Sequence, residues 1–266
     1  MKNLFRNLGI NILGAANIYP ASLTRKRDLL ALMEKLHPRL PAKPLVRLGP
    51  PGDGGYLVPD DLAGITACYS PGVSFESGFE NACAERGMQV YMADKSVDGP
   101  AQAHANFHFL KKYIGAATSG DFISMDDWVR STQPDAQSDL ALQIDIEGYE
   151  YETFFSMSDT LTRRFRVIAG ELHSMDMLWS KHYFRVVSRV FDKLLQTHTC
   201  VHLHPNNASP SVSMKGLEIP RLMEFTFVRN DRVPADAGYA RTFPHALDAD
   251  NTSRAPLPLP RCWHRQ

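Results

Sequence analysis

The chain has 266 residues with 29 basic and 29 acidic side chains, so its formal net charge at neutral pH is zero. A balanced chain has no general attraction for polyanions, which argues against nucleic acid as a partner. Hydrophobic residues make up 44% of the sequence, yet no apolar run approaches the roughly 18 residues that a membrane span requires.

The first 43 residues are predicted to form an N-terminal helical extension. Arg6 and Asn7 interrupt the apolar stretch near the start, which argues against a secretory signal peptide. The remaining apolar residues lie on one stripe, which would pack on the domain, pack on a partner subunit of a homo-oligomer, or contact a membrane surface. Four cysteines without paired spacing fit a reducing compartment. We therefore expect a cytoplasmic protein, with peripheral contact at the inner face of the membrane as the alternative.

Strand and helix patterns alternate between residues 44 and 230, after a Pro- and Gly-rich loop and a hairpin-like element at 56–58. This alternation favours an α/β fold, and we expect a Rossmann-like, mostly parallel, seven-stranded sheet with helices on both faces. Residues 231–266 form a C-terminal tail that is expected to wrap the surface or to be partly disordered. The predicted strands are 64–70, 88–94, 105–115, 139–145, 165–173, 199–207 and 222–230. The predicted helices are 24–37, 79–87, 123–132 with Ser124 as N-cap, 149–161 and 177–197.

The predicted strands are apolar inside but end on polar residues. Ligands of parallel α/β sheets bind outside the carboxyl ends of the strands. The concentration of acids and histidine at these ends therefore predicts a ligand site there. The strand ends are Ser70, Asp94, Asp145, Glu171 and His204.

The turn after the first sheet strand contains Gly72 between two small residues, Ser70 and Ser74. Small residues at this place let a ligand approach the backbone closely. The turn lacks the GxGxxG spacing of a dinucleotide site, and Glu76 and Glu80 would repel a pyrophosphate. The sequence therefore favours a cationic ligand without phosphate.

The next strand ends on Asp94. A carboxylate about 20 residues beyond such a turn typically accepts hydrogen bonds from the ribose hydroxyls of a nucleoside. S-adenosyl-L-methionine is a positively charged nucleoside without phosphate, and we expect it to be the cofactor. The alternative is that Asp94 only caps a turn with Lys95.

Several segments, in the same order, resemble those of FkbM-type methyltransferases, a family of class I S-adenosylmethionine-dependent enzymes. The clearest is LQIDIEGYE at residues 142–150, which is similar to the family signature KIDIEGAE. The others are VRLGPPGDGGYLV, YSPGVSFESGFENACAERG, ISMDDWV, VIAGELH, HLHPNN and LMEFTFVR. The resemblance covers residues 44–230 and implies a class I methyltransferase domain there. The chain departs from the family pattern at Gln143, where lysine is usual, and at Pro71.

The resemblance implies a cofactor pocket built from the segment before the first sheet strand, the turn after it, and the ends of the second and fourth strands. Two of its residues have alternative explanations. Glu80 would otherwise be an ordinary exposed helix residue, and Asp53 would otherwise stabilise its own Gly-rich turn. The residues carried over are Asp53, Gly54, Tyr56, Ser70, Gly72, Glu80, Asp94 and Asp145.

Catalysis is expected where Asp145, Glu171, His173 and His204 converge from distant parts of the chain. In one account, Asp145, Glu171 and His173 hold a divalent ion, Mg or Mn, that binds the acceptor hydroxyl. In another, His173 is a metal-free base oriented by Glu171. In a third account, these side chains only bind substrate hydroxyls or form hydrogen bonds with the backbone of nearby loops. We expect His202 and His204 to face opposite sides of their strand, so that only one of them serves.

The resemblance implies methyl transfer to a hydroxyl oxygen. The usual acceptors of the family are sugars, including the glycans of surface polysaccharides, and related hydroxylated metabolites. Two alternatives remain: a nicotinamide-dependent sugar oxidoreductase, and a catalytically silent relative that serves as a binding or scaffold protein. The missing GxGxxG counts against the first, and the retained acids with His173 count against the second.

Overall fold

The computed structural model describes residues 13–15, 17, 20–133, 135 and 137–265. The amphipathic stripe predicted near the N-terminus lies outside these ranges, apart from its last residue, Leu13. The helices are α1 (Lys26–Lys35), α2 (Gly78–Ala84), α3 (Met125–Thr132), α4 (Glu150–Ser156), α5 (Asp159–Arg164) and α6 (Lys181–Leu194). The strands are β1 (Leu45–Leu48), β2 (Tyr56–Pro59), β3 (Ala67–Pro71), β4 (Gln89–Ala93), β5 (Phe107–Leu110), β6 (Tyr113–Gly115), β7 (Phe122–Ser124), β8 (Leu140–Ile144), β9 (Phe165–Leu172), β10 (His198–Pro205), β11 (Ser211–Met214), β12 (Leu217–Pro220) and β13 (Met223–Arg229).

Seven strands form the central sheet in the order β5–β4–β3–β8–β9–β13–β10. Adjacent strands from β5 to β9 are parallel, whereas β13 runs antiparallel to both of its neighbours, β9 and β10. From β3 the chain builds the sheet towards β5 and then returns to β8, on the other side of β3. A crevice opens between the strand ends at such a reversal. The predicted mostly parallel, seven-stranded sheet is thus confirmed, and it is consistent with a Rossmann-like fold.

The region predicted as one strand at residues 105–115 is two strands in different sheets. Residues Phe107–Leu110 form β5 at the edge of the central sheet, whereas Tyr113–Gly115 form β6 and pair with β7 in a small parallel sheet. A tight turn, in which the Lys112 N–H donates to the Leu110 carbonyl oxygen at 2.8 Å, separates the two strands. The turn redirects the chain so that Tyr113 lies beside the crevice.

Two separate cores lie on the two faces of the sheet, because side chains alternate along each strand. Tyr69 and Leu142 belong to the core under α1 and α3 to α6, whereas Cys68 and Ala141 belong to the core on the opposite face. The second core is covered by α2 and by the antiparallel hairpin β1–β2. The expectation of helices on both faces is therefore met on the second face by one helix together with a hairpin.

Helix α3 begins as predicted, because the Ser124 hydroxyl accepts the Asp127 N–H at 3.2 Å. This bond satisfies one of the unpaired amides of the first turn. Helix α6 begins later than predicted, since residues Met175–Trp179 form a 3-10 turn before it. Among the described residues, the structure contains no helix with the length and apolar composition needed to cross a membrane.

The C-terminal segment (residues 231–265) packs against the domain. The ring of Trp263 is fully buried and lies 6.3 Å from that of Phe225, measured between centroids. The Asn207 amide nitrogen donates to the carbonyl oxygens of Thr252 and Arg254 at 3.1 and 3.0 Å. The segment therefore wraps the surface, which is the first of the two behaviours expected for it.

Protonation of a buried histidine is expected to destabilise the fold in acid. His198 is buried, and its Nε2 donates to the Phe165 carbonyl oxygen at 2.7 Å. Burial lowers the pKa of His198 to about 4, from 6.5 for an exposed histidine. The unfolded state therefore binds more protons below pH 6.5, so stability is lost as the pH falls from 6.5 towards 4. We expect the free energy of unfolding to fall less steeply over this range in His198→Gln than in the wild type.

Urea melts between about pH 7 and pH 5 measure this difference, which is at most about 1.4 kcal/mol per pH unit. His182→Gln, at an exposed position, is the matched control and should keep the wild-type slope. Equal slopes in wild type and His198→Gln would contradict the assignment.

Candidate active site

Three of the four predicted catalytic residues converge at the carboxyl edge of the sheet. Asp145 follows β8, Glu171 lies near the end of β9, and His173 follows β9. One ligand atom from each of these side chains lies within 4.8 Å of the others. We call Asp145, Glu171 and His173 the Asp–Glu–His cluster. Its members come from adjacent parallel strands, which is why the sequence could predict their convergence.

The imidazole of His173 is fixed by Glu150, the first residue of α4. His173 Nδ1 lies 3.1 Å from Glu150 Oε1, and that oxygen also accepts the backbone N–H groups of Ile146 and Gly148 at 3.0 Å each. Glu150 is fully buried. This role of Glu150 was not predicted from the sequence. A signal was present, because a carboxylate at the start of a helix can accept the free amides of the preceding turn.

The other ring nitrogen of His173 faces a group of carboxylates. Nε2 lies 3.9 Å from Asp145 Oδ1, 3.5 Å from Glu171 Oε1 and 3.3 Å from Glu147 Oε2. Asp145 and Glu171 also accept hydrogen bonds from residues that do not belong to this group of carboxylates. The Tyr56 hydroxyl donates to Asp145 Oδ2 at 3.5 Å, and the amide of Asn206 donates to Glu171 Oε2 at 2.5 Å.

The backbone beside the Asp–Glu–His cluster adopts uncommon conformations. Glu147 and Ser174 both have φ of 56°, in the left-handed region, although neither is glycine. Such a conformation costs about 1–3 kcal/mol for a residue with a side chain and is concentrated at functional sites. Glu147 lies in the turn after Asp145, and Ser174 directly follows His173. Their backbone conformations therefore affect the orientation of the Asp145 and His173 side chains.

Burial and mutual charge shift the pKa values of the cluster. Burial, reinforced by the charge of Glu171, raises the pKa of Asp145 to about 8. Burial also raises the pKa of Glu171 to about 7, although Asn206 and His173 oppose it. For His173, burial favours the neutral ring, but the hydrogen bond with Glu150 and the surrounding carboxylates raise its pKa to about 9. The cluster therefore binds protons at neutral pH unless another cation compensates its charge.

A cleft of about 400 Å³ opens at the reversal of strand order, between the ends of β3 and β8. One wall is aromatic, with ring centroids 5.5 Å apart for Tyr113 and Phe122 and 5.9 Å apart for Phe122 and Tyr149. The cleft has acidic lining residues, and none of the described residues that line it is basic. Those residues are Gly72, Ala93, Asp94, Ser96, Tyr113, Ile114, Phe122, Asp145, Ile146, Glu147 and Tyr149.

Gly72 lets the two strand ends approach each other. Its φ is 91°, and a Cβ atom built there would lie 1.6 Å from the Asp145 carbonyl oxygen. No residue with a side chain fits this position. The sequence predicted that a ligand approaches the backbone closely at this turn. In the structure, the backbone at Asp145 makes this close approach to Gly72.

Asp94 lies on the rim of the cleft and stabilises two turns. Oδ2 accepts the Val73 N–H at 3.1 Å, and Oδ1 accepts the Ser96 N–H and hydroxyl at 2.6 Å each. The turn-capping alternative is thus present, but with Ser96 instead of Lys95, which pairs with Asp121 at 3.1 Å. A carboxylate has about four acceptor positions, so Asp94 keeps capacity for a ligand.

Ser70 and Glu80 do not line the cleft. Ser70 lies on β3 and Glu80 on α2, and both are buried; the Ser70 hydroxyl lies 2.5 Å from Glu80 Oε1 and 2.6 Å from Gln143 Oε1. Burial raises the pKa of Glu80, and the Ser70 hydrogen bond opposes this rise. Glu80 is therefore not the exposed helix residue of the alternative explanation. The two residues support the sheet behind the site.

The hairpin residues divide between the site and its rim. Tyr56 is buried and bonds to Asp145, whereas Asp53 is exposed. Asn251 of the C-terminal segment donates to Asp53 Oδ1 at 3.4 Å, so Asp53 has a partner beyond its own turn. Gly54 has φ of 78° and forms the turn between them.

His204 lies apart from the Asp–Glu–His cluster. In the antiparallel register Glu171 pairs with Glu224, and Glu224 pairs with His204. Two strand spacings, about 10 Å, therefore separate the backbones of His204 and Glu171. The expectation that His202 and His204 face opposite sides is wrong, because residues two apart share a face. Their nitrogens lie 2.9 and 3.4 Å from the two oxygens of Asp248.

Glu224 and the polar residues of the C-terminal segment were also not predicted from the sequence. Burial raises the pKa of Glu224 to about 7, while His204 and the Asn251 amide, at 2.8 Å, lower it. Glu224 lies inside an apolar strand pattern, and Asp248 and Asn251 lie in an irregular segment. No local signal in the sequence could have found them.

Comparison with known proteins does not assign a family. No family model and no curated protein matches the sequence. Among solved structures, the chain is similar to the one titled "Crystal Structure of EvdMO1", at 12% identity and a TM-score of 0.28. The match covers 81% of this chain and 49% of that chain, so it spans about half of that protein's length. A TM-score this low supports no conclusion on function.

Replacing Gly72 should damage both the fold and the cleft. Gly72→Ala places a Cβ against the Asp145 carbonyl oxygen, whereas Gly87→Ala has a similar φ of 85° with no atom within 4 Å of its Cβ. We expect Gly87→Ala to cost about 1–2 kcal/mol of unfolding free energy from backbone strain alone. Gly72→Ala should cost clearly more, as measured by urea denaturation. Equal costs for the two variants would show that the strand ends are not in contact.

Proposed function

We propose that the chain is a class I S-adenosylmethionine-dependent methyltransferase that acts on a hydroxyl oxygen of a sugar, a glycan or a related hydroxylated metabolite. The cleft at the strand-order reversal carries this proposal. It combines an aromatic wall, the carboxylate of Asp94 and the carboxylates of Asp145 and Glu147, without a basic residue among the described lining. The negative charges of the three carboxylates would repel the phosphate of a nucleotide, whereas they would not repel a cationic nucleoside.

The lining residues fit S-adenosylmethionine by chemical type. Apolar and aromatic side chains such as Ile114 and Phe122 suit an adenine ring, and the remaining acceptor position of Asp94 suits a ribose hydroxyl. Asp145 and Glu147 suit the positive charges of the sulfonium and ammonium groups. When bound, this molecule supplies a methyl group on a positively charged sulfur. The sulfur is the leaving group and needs no further activation. The protein then has to orient the acceptor and remove the proton of its hydroxyl.

The Asp–Glu–His cluster favours the metal account over the metal-free base. His173 Nδ1 is held by a carboxylate, Glu150, which is the usual way in which proteins aim a metal-ligating imidazole. Two further oxygen ligands, from Asp145 and Glu171, suit Mg or Mn. A divalent ion would supply Lewis acidity towards the acceptor hydroxyl. Without a metal, His173 would be a poor base near neutral pH, because its pKa is raised to about 9 and the ring is already protonated.

Polar side chains beside the cluster suit a hydroxyl-rich acceptor. Asn206 contacts Glu171, and Asn251 joins Asp53 to Glu224. Amides both donate to and accept from sugar hydroxyls, and carboxylates accept from them. The sugar or glycan class of acceptor rests on this chemistry together with the sequence resemblance.

The oxidoreductase alternative has one feature in the sequence, the Y-x-x-x-K spacing of Tyr91 and Lys95. The two residues lie on and just after strand β4 rather than on a helix. Tyr91 packs against Tyr69, with ring centroids 5.1 Å apart, and Lys95 pairs with Asp121. Neither side chain is aimed at a shared reaction centre, so this spacing gives the alternative little support.

Calorimetry with S-adenosylhomocysteine and with NAD tests the cofactor assignment. We expect the wild-type chain to bind S-adenosylhomocysteine and not NAD. Asp94→Asn should weaken that binding roughly 10- to 100-fold, since hydrogen bonds to a charged group contribute about 1.5–3 kcal/mol. Asp98→Asn, an exposed acid in the following loop, is the matched control and should bind as the wild type does. Binding of NAD alone would favour the oxidoreductase, and binding of neither would favour a silent relative.

Metal binding tests the Asp–Glu–His cluster independently of turnover. We expect the wild-type chain to bind Mn²⁺, as followed by electron paramagnetic resonance, and Glu171→Gln to lose this binding. Glu150→Gln should weaken Mn²⁺ binding about 10- to 100-fold, since it removes the charge that orients His173 but keeps an acceptor oxygen for the Ile146 and Gly148 amides. Glu85→Gln, at an exposed helix end, is the control.

Methyl transfer to a panel of nucleotide sugars, free glycans and lipid-linked glycans, read by product mass, links the site to the reaction. EDTA should abolish the transfer, and Mg or Mn should restore it. Full activity in EDTA would leave the metal account without support.

A further inference from the structure

The outer face of helix α6 carries a row of basic residues. Lys181, Arg185 and Arg189 are exposed and are spaced four residues apart, so their side chains follow one another along one face of the helix. His182 is exposed beside this row. The opposite face of α6 is buried in the core, which turns the row towards solvent. We call these four residues the basic face of α6.

No acid balances the row within the described part of the chain. The side chains of Lys181, Arg185 and Arg189 form no ion pair and no hydrogen bond with any described residue. The one acid of α6, Asp192, lies 2.7 Å from Lys35 Nζ of α1. Like charges four residues apart destabilise a helix. A helix selected for stability alone would therefore place acids in this row, and the unbalanced charge favours an anionic partner.

Two exposed apolar side chains lie beside the basic face. Val186 is a neighbour of His182 and Arg189, because residues three and four apart are adjacent on a helix, and 54% of its surface is exposed. Phe155, near the end of α4, is 57% exposed. Its carbonyl oxygen accepts from Lys193 Nζ at 2.9 Å, so it lies beside the last turns of α6. Apolar groups flanked by cations are typical of a surface that enters the headgroup region of a membrane.

The N-terminal part of the chain meets the domain at the same helix. The Ser22 carbonyl oxygen accepts the Lys181 N–H at 2.9 Å. The sequence of residues 1–19 contains two basic residues, Lys2 and Arg6, and no acid. The sequence that precedes this contact therefore has the same sign of charge as the basic face.

We propose that the basic face of α6, together with Val186 and Phe155, is a docking surface for a membrane that contains anionic lipids. The cations contact the lipid headgroups, and the two apolar side chains enter the boundary between the headgroups and the acyl chains. The row from Lys181 to Arg189 extends over about 12 Å, which is more than one free phosphate can contact. A nucleic acid backbone offers negative charge but no apolar layer for Val186 and Phe155.

This inference goes beyond the proposed methyl transfer and does not rest on it. None of these residues lines the cleft or belongs to the Asp–Glu–His cluster. Membrane binding and S-adenosylhomocysteine binding can therefore be lost separately, and each is measured on the same full chain.

Co-sedimentation of the full chain with lipid vesicles tests the docking surface. We expect binding to vesicles of equal parts phosphatidylcholine and phosphatidylglycerol, weakened by added salt, and no binding to phosphatidylcholine alone. Arg185→Gln/Arg189→Gln should weaken the binding roughly 10- to 30-fold, since each basic residue near an anionic surface contributes to the affinity. Phe155→Ser/Val186→Ser should weaken it about 3- to 10-fold at unchanged charge.

Lys43→Gln/Arg86→Gln is the matched control and should bind as the wild type does. It removes the same charge, but Lys43 precedes the hairpin and Arg86 follows α2, which cover the opposite face of the sheet. Equal or absent binding to the two kinds of vesicle, or unchanged binding in Arg185→Gln/Arg189→Gln, would overturn the inference. Binding of a short DNA duplex in place of vesicles would also overturn it, with nucleic acid as the partner. The single variants locate the surface if the double variant does not fold.

Discussion

The crowding of negative charge around one imidazole is the constraint on which this structure depends. Asp145, Glu147 and Glu171 all lie within 3.9 Å of His173 Nε2, at the edge of a sheet that is otherwise apolar. Withdrawing a carboxylate from water is costly unless a positive charge compensates it. A fold selected for stability alone would place leucine or isoleucine at such strand ends. The charge of these acids can be compensated by bound protons, by the protonated ring of His173 or by a further cation.

Hydrogen bonds from the backbone lower the free-energy cost of burying these carboxylates. The turn that follows Asp145 directs two amide groups at Glu150, so this buried carboxylate is neutralised in part by dipoles. Glu150 then orients His173, and the hairpin and β10 support Asp145 and Glu171 through Tyr56 and Asn206. Each support comes from a different part of the chain. The site is thus a product of the whole fold rather than of one motif.

The sequence was most informative where a pattern is local and periodic. The apolar strands, the polar residues at their ends and the Ser124 cap could be predicted, because spacing along the chain determines them. The pairing of Asp145 with Glu171 followed from parallel neighbouring strands. The split of residues 105–115, the hairpin that replaces helices on the second face and the position of Glu80 inside the core could not be predicted. They depend on tertiary packing, which has no signature within a short window of sequence.

Placing the domain boundary at residue 230 from composition separates residues that function together. Asp248 and Asn251 belong to the C-terminal segment, which is synthesised after the strands of the sheet, and Trp263 anchors that segment against Phe225. The sheet can form while this part is still being made, because chains fold from the N-terminal side during translation. Until that segment is made, the imidazole of His204 lacks Asp248 and the carboxylate of Glu224 lacks Asn251. The candidate site therefore gains these polar contacts only after residue 251 has left the ribosome.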